Sequence, residues 1–385
     1  MKKLVSAGAA AMALTGGAHA QSSIVLYGVA TSSVQYVNRA QNVSNGVLAP
    51  GSGSVVLLNS SGIAQSRFGL RGTEDLGHGY KGLFVLENQF GIDNGQLGNG
   101  GLLFGRQAFV GLGSPYGTLT FGRQYTSAFL TMGNFSPTGL APEFEPVVGF
   151  AGPNFRENNM AKYEGKFGAL SASAHWSFGE RPGTLAAGSA YGVGLSYFMN
   201  DFGIGLGYDE VKTLSTAQMS AASGSNDFGR DMRAMLGLSY TFGTVKLVAS
   251  YRWGNSVAPS SGTPTVLPHR DDMYWVGVSW DATPAARFTL AYYYDDIKRA
   301  TIGSAVVNPE NPQQYVALAD YNLSKRTDLF AGIVYARNAS LNWDSIGYLP
   351  NGQSVGYLPA TAQVYYKPPG ARGQTGISMG IRHIF

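Results

Sequence analysis

Apolar and polar side chains alternate with a period of two along most of the chain. Val245, Leu247, Ala249 and Tyr251 interleave with Lys246, Val248, Ser250 and Arg252. Phe288, Leu290, Tyr292 and Tyr294 interleave with Arg287, Thr289, Ala291, Tyr293 and Asp295. Leu329, Ala331, Ile333 and Tyr335 repeat the theme, as do Ile377, Met379, Ile381, His383 and Phe385 at the end. This is the period of strands with one apolar face. No window holds the i, i+3, i+4, i+7 spacing of a helix over three turns.

The connections alternate as well. Short ones fall at Glu74–Gly79, Pro115–Tyr116, Gly168, Asn200–Asp201, Gly243, Asp281–Ala285 and Ser324–Lys325. Long polar ones fall at Asn38–Gly62, Ile92–Leu102, Tyr125–Asn158, Gly179–Gly188, Thr213–Gly229, Asn255–Arg270, Arg299–Glu310 and Asn338–Gln374. Seven short turns between eight long loops predict sixteen strands. An even strand count, with short turns on one side and long loops on the other, describes an all-β, antiparallel transmembrane β-barrel. A soluble sandwich would also alternate, but two features oppose it. Tyr321, Tyr335, Tyr251, Trp280 and Phe385 lie near strand ends on the apolar stripe, as interfacial girdles require. The opposite stripe is rich in Gly, Ser, Thr and charge and cannot pack as a sandwich core.

Composition sharpens this picture. Of 385 residues, 44% are hydrophobic and only 13% charged, against roughly 25% charged in ordinary soluble domains. With 12% aromatics the chain is no disordered polymer. After the first twenty residues no run approaches the ~20 apolar residues of a spanning helix. The absence of cysteine excludes disulfides and thiol nucleophiles. Lys2 and Lys3, the apolar Leu4–Leu14, and Ala18-His19-Ala20 predict a signal peptide over residues 1–20, cut between Ala20 and Gln21. Residues 21–385 then form one barrel domain. Removing Lys2 and Lys3 leaves 25 basic against 23 acidic residues, a charge of +2 without a basic run, so nucleic-acid binding gains no support.

Particular segments carry a family resemblance. SSIVLYGVATSSVQY (22–36), SRFGLRGTEDLGHGYKGLFVLE (66–87), GRQAFVGL with GTLTFGRQ (105–124), PEF (142–144), RENNMAKYEG (156–165) and the terminal GIRHIF (380–385) resemble the trimeric general porins of beta-proteobacteria and Neisseria. The first strand departs from the pattern: Ala30-Thr31 follows LYGV where the family often has an acid. The resemblance implies a homotrimer in the outer membrane, surrounded by lipopolysaccharide and built by the barrel-assembly machinery. It also implies a passive channel for small hydrophilic solutes and inorganic ions, with no cofactor and no metal. A solute-specific barrel channel is the transport alternative; a barrel phospholipase is the enzymatic one.

A pore needs a constriction and a field across it. The connection Tyr125–Asn158, 34 residues long, exceeds ordinary loops. By resemblance it is the third extracellular loop, folded inward, and it carries Glu143, Glu145, Arg156 and Glu157. Arg67 and Arg71 share a face opposite Phe68 and Leu70 and are expected on the facing wall. Arg106 and Arg123 are further wall candidates, although Arg106 falls in phase with the apolar Ala108, Val110 and Leu112. Two roles are open for these charges: a transverse field across the lumen, or ion pairs that tie loop to wall. Nine lumen-phase bases (Arg67, Arg71, Lys162, Lys166, Arg233, Lys246, Arg252, Arg287, Arg382) face seven acids (Glu87, Glu164, Asp209, Asp231, Asp295, Asp320, Asp328), which predicts a weak anion preference. Gly352-Gln353-Ser354-Val355-Gly356 matches G-x-S-x-G but has no strand–turn–helix context. Phe385 is expected both as a girdle aromatic and, by resemblance, as the assembly signal.

Overall fold

The computed structural model describes residues 23–41, 43–44, 47–48, 52–151, 155–213, 228–257, 270–302, 305–342, 347–348, 354–355 and 370–385. The signal segment 1–20, its Ala20/Gln21 junction and most of the G-x-S-x-G stretch lie outside them. Sixteen barrel strands follow one another: β1 (Ser23–Ala40), β2 in two halves (Gly53–Asn59 and Arg67–Gly77), β3 (Tyr80–Gln89), β4 (Gln107–Ser114), β5 (Gly117–Tyr125), β6 (Arg156–Phe167), β7 (Leu170–Ser177) and β8 (Ala190–Met199). The circuit continues with β9 (Phe202–Thr213), β10 (Gly229–Phe242), β11 (Val245–Val257), β12 (Arg270–Asp281), β13 (Ala286–Ile302), β14 (Gln313–Asn322), β15 (Thr327–Arg337) and β16 (Gly373–Ile384). Each strand pairs antiparallel with the next, and β1 pairs with β16 from Val29↔Ile384 to Val37↔Gly376. At the seam the Gly28 amide donates to the Phe385 carbonyl (2.9 Å) and the Phe385 amide to Gly28 (3.0 Å). The ring is closed, so none of its edges can recruit another chain.

Alternation determines what each face meets. Val193, Leu195, Leu206, Leu238, Val276 and Ile333 are exposed on the outer surface, while the residues between them are buried or face the lumen. Exposed aromatics mark both rims. Tyr116, Phe167, Phe202, Phe242, Trp280, Tyr321 and Phe385 stand beside the short turns. Toward the long-loop side runs a tyrosine belt, Tyr251–Tyr274–Tyr294 and Tyr292–Tyr315–Tyr335, with ring centroids 4.9–6.4 Å apart. The two belts bound the apolar band, as aromatic girdles do in outer-membrane barrels. All seven short turns fall where the alternation placed them. At Asn200, φ is +52°, which asparagine tolerates better than branched residues do.

The second strand differs from expectation. The alternation predicted a loop over Asn38–Gly62, but β1 extends to Ala40 and β2 begins at Gly53. Ser33 pairs with Asn59, whereas Val29 pairs with Arg67. Residues 60–66 therefore stand opposite only Ala30–Ser32, and the surplus chain is pushed into the barrel, where Ser60, Ser61 and Ile63 are buried. Ser66 fastens this bulge: its hydroxyl accepts from the Thr31 amide (2.9 Å) and donates to the Thr31 carbonyl (3.0 Å).

Candidate pore constriction

The segment between β5 and β6 lies against the inner wall. It begins with helix α1 (Ser127–Gly133), capped by Thr126, whose side chain accepts from the Phe129 amide. The same hydroxyl donates to Asp209 Oδ2 (2.8 Å), and the Ser127 amide donates to His175 Nδ1 (3.2 Å), which fixes the helix on β7 and β9. Further along, Trp275 Nε1 donates to the Phe135 carbonyl (2.9 Å) and Lys246 Nζ to the Asn134 carbonyl (3.3 Å). A short second helix, α2 (Val147–Ala151), precedes the return to β6.

Inner-wall glycines make room for this path. Ala128 lies over Gly207, Phe135 over Gly205 and Gly237, Pro137 over Gly277, and Phe144 over Gly332. A methyl group at Gly207 would stand 3.1 Å from Ala128 Cβ, and one at Gly332 would stand 2.6 Å from Phe144 Cε1. The wall is smooth where the loop must lie.

The far end of the loop is latched at the barrel seam. Glu143 accepts from Ser33 Oγ (2.7 Å) and the Gly62 amide (2.9 Å), and its own amide donates to the Gly62 carbonyl (3.2 Å). Gln314 Nε2 donates to the Phe144 carbonyl (2.9 Å) and Asn342 Nδ2 to the Pro142 carbonyl (2.8 Å). Glu145 turns back into its own loop and accepts from Ser136 Oγ (2.5 Å), Thr138 Oγ1 and the Leu140 amide (3.1 Å). Both side chains are buried, with Glu143 2% and Glu145 1% exposed. Burial raises both carboxyls above the ordinary carboxylate range. The expectation of loop carboxylates facing arginines across open water is thus replaced by carboxylates enclosed in the loop–wall contact.

The arginines gather near the root of the loop. Arg106 Nε meets Glu87 Oε1 at 2.7 Å, while its other nitrogens donate to Gln65 Oε1 (2.5 Å) and the Tyr125 hydroxyl (2.5 Å). Arg67 lies 3.7 Å from the other Glu87 oxygen, which also accepts from the Tyr27 hydroxyl (3.1 Å). Arg156 donates to the Tyr125 hydroxyl (2.8 Å) and stacks over the Tyr125 and Phe155 rings at 4.5 and 4.6 Å. Arg71, exposed, lies over Tyr27 at 5.2 Å. Two guanidiniums of this ladder thus share one carboxylate, and the other two lie against the tyrosines beside it.

Two placements correct the strand-phase reading. Arg106 precedes β4, so the apolar phase of that strand does not govern it, and it turns inward. Arg123 pairs with the outward Ala108, and its guanidinium binds the Gly105 carbonyl and Asn158 Oδ1 away from the ladder. Arg156 and Glu157 open β6 and are not part of the loop proper. Glu157 pairs in register with Gln124, and one of its carboxylate oxygens is buried without a partner.

The remaining wall charges sort by pairing. Arg252 is enclosed between Asp271 and Asp295, Arg233 lies on Asp231, and Arg382 on Asp328 (2.9 Å) and Asp320 (3.9 Å). Glu164 pairs with Lys162 at 3.3 Å, Asp209 with His175 at 3.8 Å, and Arg287 with Asp281 at 2.5 Å. Asp271 was missed by the lumen count although it shares the Arg252 face; its signal was the alternation with Asp272. Among the described residues Arg71, Lys166 and Lys246 carry no ion pair.

A closed barrel, apolar outside and polar within, with an inner loop narrowing the passage, defines an outer-membrane diffusion channel. More particularly, the chain belongs to the Gram-negative porin family, whose model matches residues 7–341. It is 30% identical over 397 residues to the outer membrane porin protein 32 of Delftia acidovorans, covering all of both chains. It is also 30% identical to an outer membrane porin protein of Bordetella pertussis, over 88% of this chain and 95% of that one. The solved anion-selective porin from Comamonas acidovorans superposes with a TM-score of 0.72 at 25% identity, covering 95% of this chain and all of the other. The protein is a porin of the Gram-negative outer membrane and passes small solutes through a water-filled channel.

Proposed function

We propose that this porin is a general diffusion channel with a weak preference for anions. One observation carries the reading: every acid counted on the lumen wall has a basic or imidazole neighbour, whereas Arg71, Lys166 and Lys246 have none. Two acids share Arg252 and two share Arg382, so pairing does not cancel one for one. With Asp271 and Asp281 added to the seven acids, nine stand against the nine bases plus Arg106 and Arg156, and this cationic surplus sets the sign of the field that a permeating ion meets. Arg67, Arg106 and Arg156 add to this sign, because two guanidiniums share the single Glu87 carboxylate and the third is held by the Tyr125 hydroxyl and aromatic rings. The anion selectivity of the Comamonas porin agrees with the reading. Glu143 and Glu145 act as fasteners for the loop, and Arg123 and Glu157 take no part in selection. Reversal potentials in planar bilayers across a KCl gradient test the proposal; a cation-selective sign overturns it.

The channel works without catalysis, cofactor or metal. It is secreted by cleavage between Ala20 and Gln21, assembles as a homotrimer through the barrel-assembly machinery, and sits among lipopolysaccharide. Phe385, held to Gly28 through both of its main-chain polar groups, serves in closure and as the assembly signal. Deleting Phe385 and measuring trimer yield in outer membranes checks this role, which fails if yield is unchanged.

A further inference from the structure

Beneath helix α1, on the short-turn side of the loop, the inner wall opens into a recess of about 540 Å³, a size typical of small-molecule sites. Leu130, Thr131 and Asn134 of the helix line one side. The β4–β5 turn, Lys166 just before the β6–β7 turn and Phe198 just before the β8–β9 turn line the others. Thr118, Ser171, Ser173 and Ser196 also line it, and their hydroxyls make no hydrogen bond to any described residue. Lys166 carries no ion pair, while Glu164 beside it is engaged by Lys162 at 3.3 Å. Phe198 lays one ring face on Phe135, with centroids 5.7 Å apart and 11° between the planes, yet it is 41% exposed. Its other face is open to the recess.

Each of these groups suits part of one kind of solute. A free hydroxyl both donates and accepts, as the hydroxyls of a sugar require. An ammonium makes a charge-assisted hydrogen bond to a carboxylate. An open aromatic face covers the apolar C–H face of a sugar ring. A single free cation with the Glu164 carboxylate two residues away favours a singly charged anion over a dianion such as phosphate. We propose that this recess is an exit-side subsite for monosaccharides that bear one carboxylate. Lys166 takes the carboxylate, the four free hydroxyls take those of the sugar, and Phe198 takes the ring face. The inference rests on the reading of an anion-preferring diffusion channel and names a solute class for it.

Single channels of the full-length protein in planar bilayers are recorded in KCl, with glucuronate, glucose, acetate or inorganic phosphate added on the short-turn side. Glucuronate is expected to half-block the current at a concentration about tenfold below glucose, the factor that one charge-assisted hydrogen bond supplies. It is also expected to block below acetate, which lacks the ring. Lys166→Gln should remove the advantage over glucose. Ser171→Leu, which sets an apolar side chain among the hydroxyls, should remove the advantage over acetate. The four solutes on the native protein decide the class even where a variant fails to assemble. Equal block by glucuronate and glucose overturns the carboxylate assignment, and equal block by glucuronate and acetate overturns the sugar assignment. Phosphate blocking as strongly as glucuronate shows a simple anion site and overturns the proposal. So does block from the long-loop side alone, or glucuronate block left unchanged by Lys166→Gln. A cation-selective reversal potential would refute the anion preference of the channel while leaving the order of the four solutes to stand or fall separately.

Discussion

The seating of Phe135 gives a demanding test of how the loop is held. The ring is fully buried and lies on two inner-wall glycines. A methyl group at Gly205 would come within 2.9 Å of Phe135 Cζ and closer to Cε2, and one at Gly237 within 2.7 Å of Cδ2. Gly205→Ala must therefore displace the ring, and overpacking of this kind costs about 1–3 kcal/mol. Phe135→Ala removes the ring and leaves a cavity, at about 3–5 kcal/mol. In the double variant the new methyl occupies vacated space, so its cost is expected to match that of Phe135→Ala alone. The coupling should then be about 1–3 kcal/mol, the size of the relieved overpacking. Urea titration of protein refolded into vesicles measures it, and Trp275, which donates to the Phe135 carbonyl, is a fluorescent reporter beside the seat. Single-channel records should show a noisier step for Gly205→Ala and partial quieting in the double variant. Strictly additive costs, or an unperturbed Gly205→Ala, would refute the seating.

Further predictions concern the latch and the field. Glu143→Ala leaves the Ser33 hydroxyl and Gly62 amide without their acceptor, at about 1–3 kcal/mol, whereas Glu143→Gln keeps an acceptor and should cost less; protease cleavage within 127–151 reads the difference. Because the folded pKa values of Glu143 and Glu145 are raised, their protonated forms favour docking. That stability is fully present below the ordinary carboxyl range near ~4.3 and is lost as pH rises through the folded values. Current noise should therefore grow from acid toward neutral pH, and Glu143→Gln/Glu145→Gln should flatten the profile. Replacing Arg71, Lys166 and Lys246 together with glutamine should move the KCl reversal potential toward zero while stability changes by about 0.5 kcal/mol or less per site, measured by the same urea titration.

Strand number, turn positions and the outer face were legible because a barrel strand has two faces in two solvents, so every second residue reports its own side. Legibility ended where the chain leaves the ladder. Arg106 is a wall candidate whose strand phase argues against it, because that phase is carried one residue past Gln107, where pairing no longer constrains the chain. The bulge at 60–66 reads as a polar loop, since nothing local shows that Gly53–Asn59 pairs with β1. The fates of Glu143 and Glu145 depend on Ser33, Gly62 and a turn of the loop itself, and no periodicity encodes the first two contacts, which span 110 and 81 residues. One pattern in the sequence does bear on the loop. Glycines recur at alternate inner positions in Gly203-Ile204-Gly205-Leu206-Gly207, and a wall stripped of side chains over such a run implies something lying against it.

The position of the latch bears on the order in which the channel is made. Ser33 lies on the first strand, whose other neighbour is the last, and Gly62 lies in the bulge that interrupts the second. Phe144 reaches Gln314 and Gly332 on the β14–β15 hairpin, next to the last strand. The clasp therefore joins both ends of the chain, and its parts come together only when the ring has shut. An unfinished barrel has no narrow passage to offer, so constriction comes after closure, and selection of solutes begins only once the wall is whole.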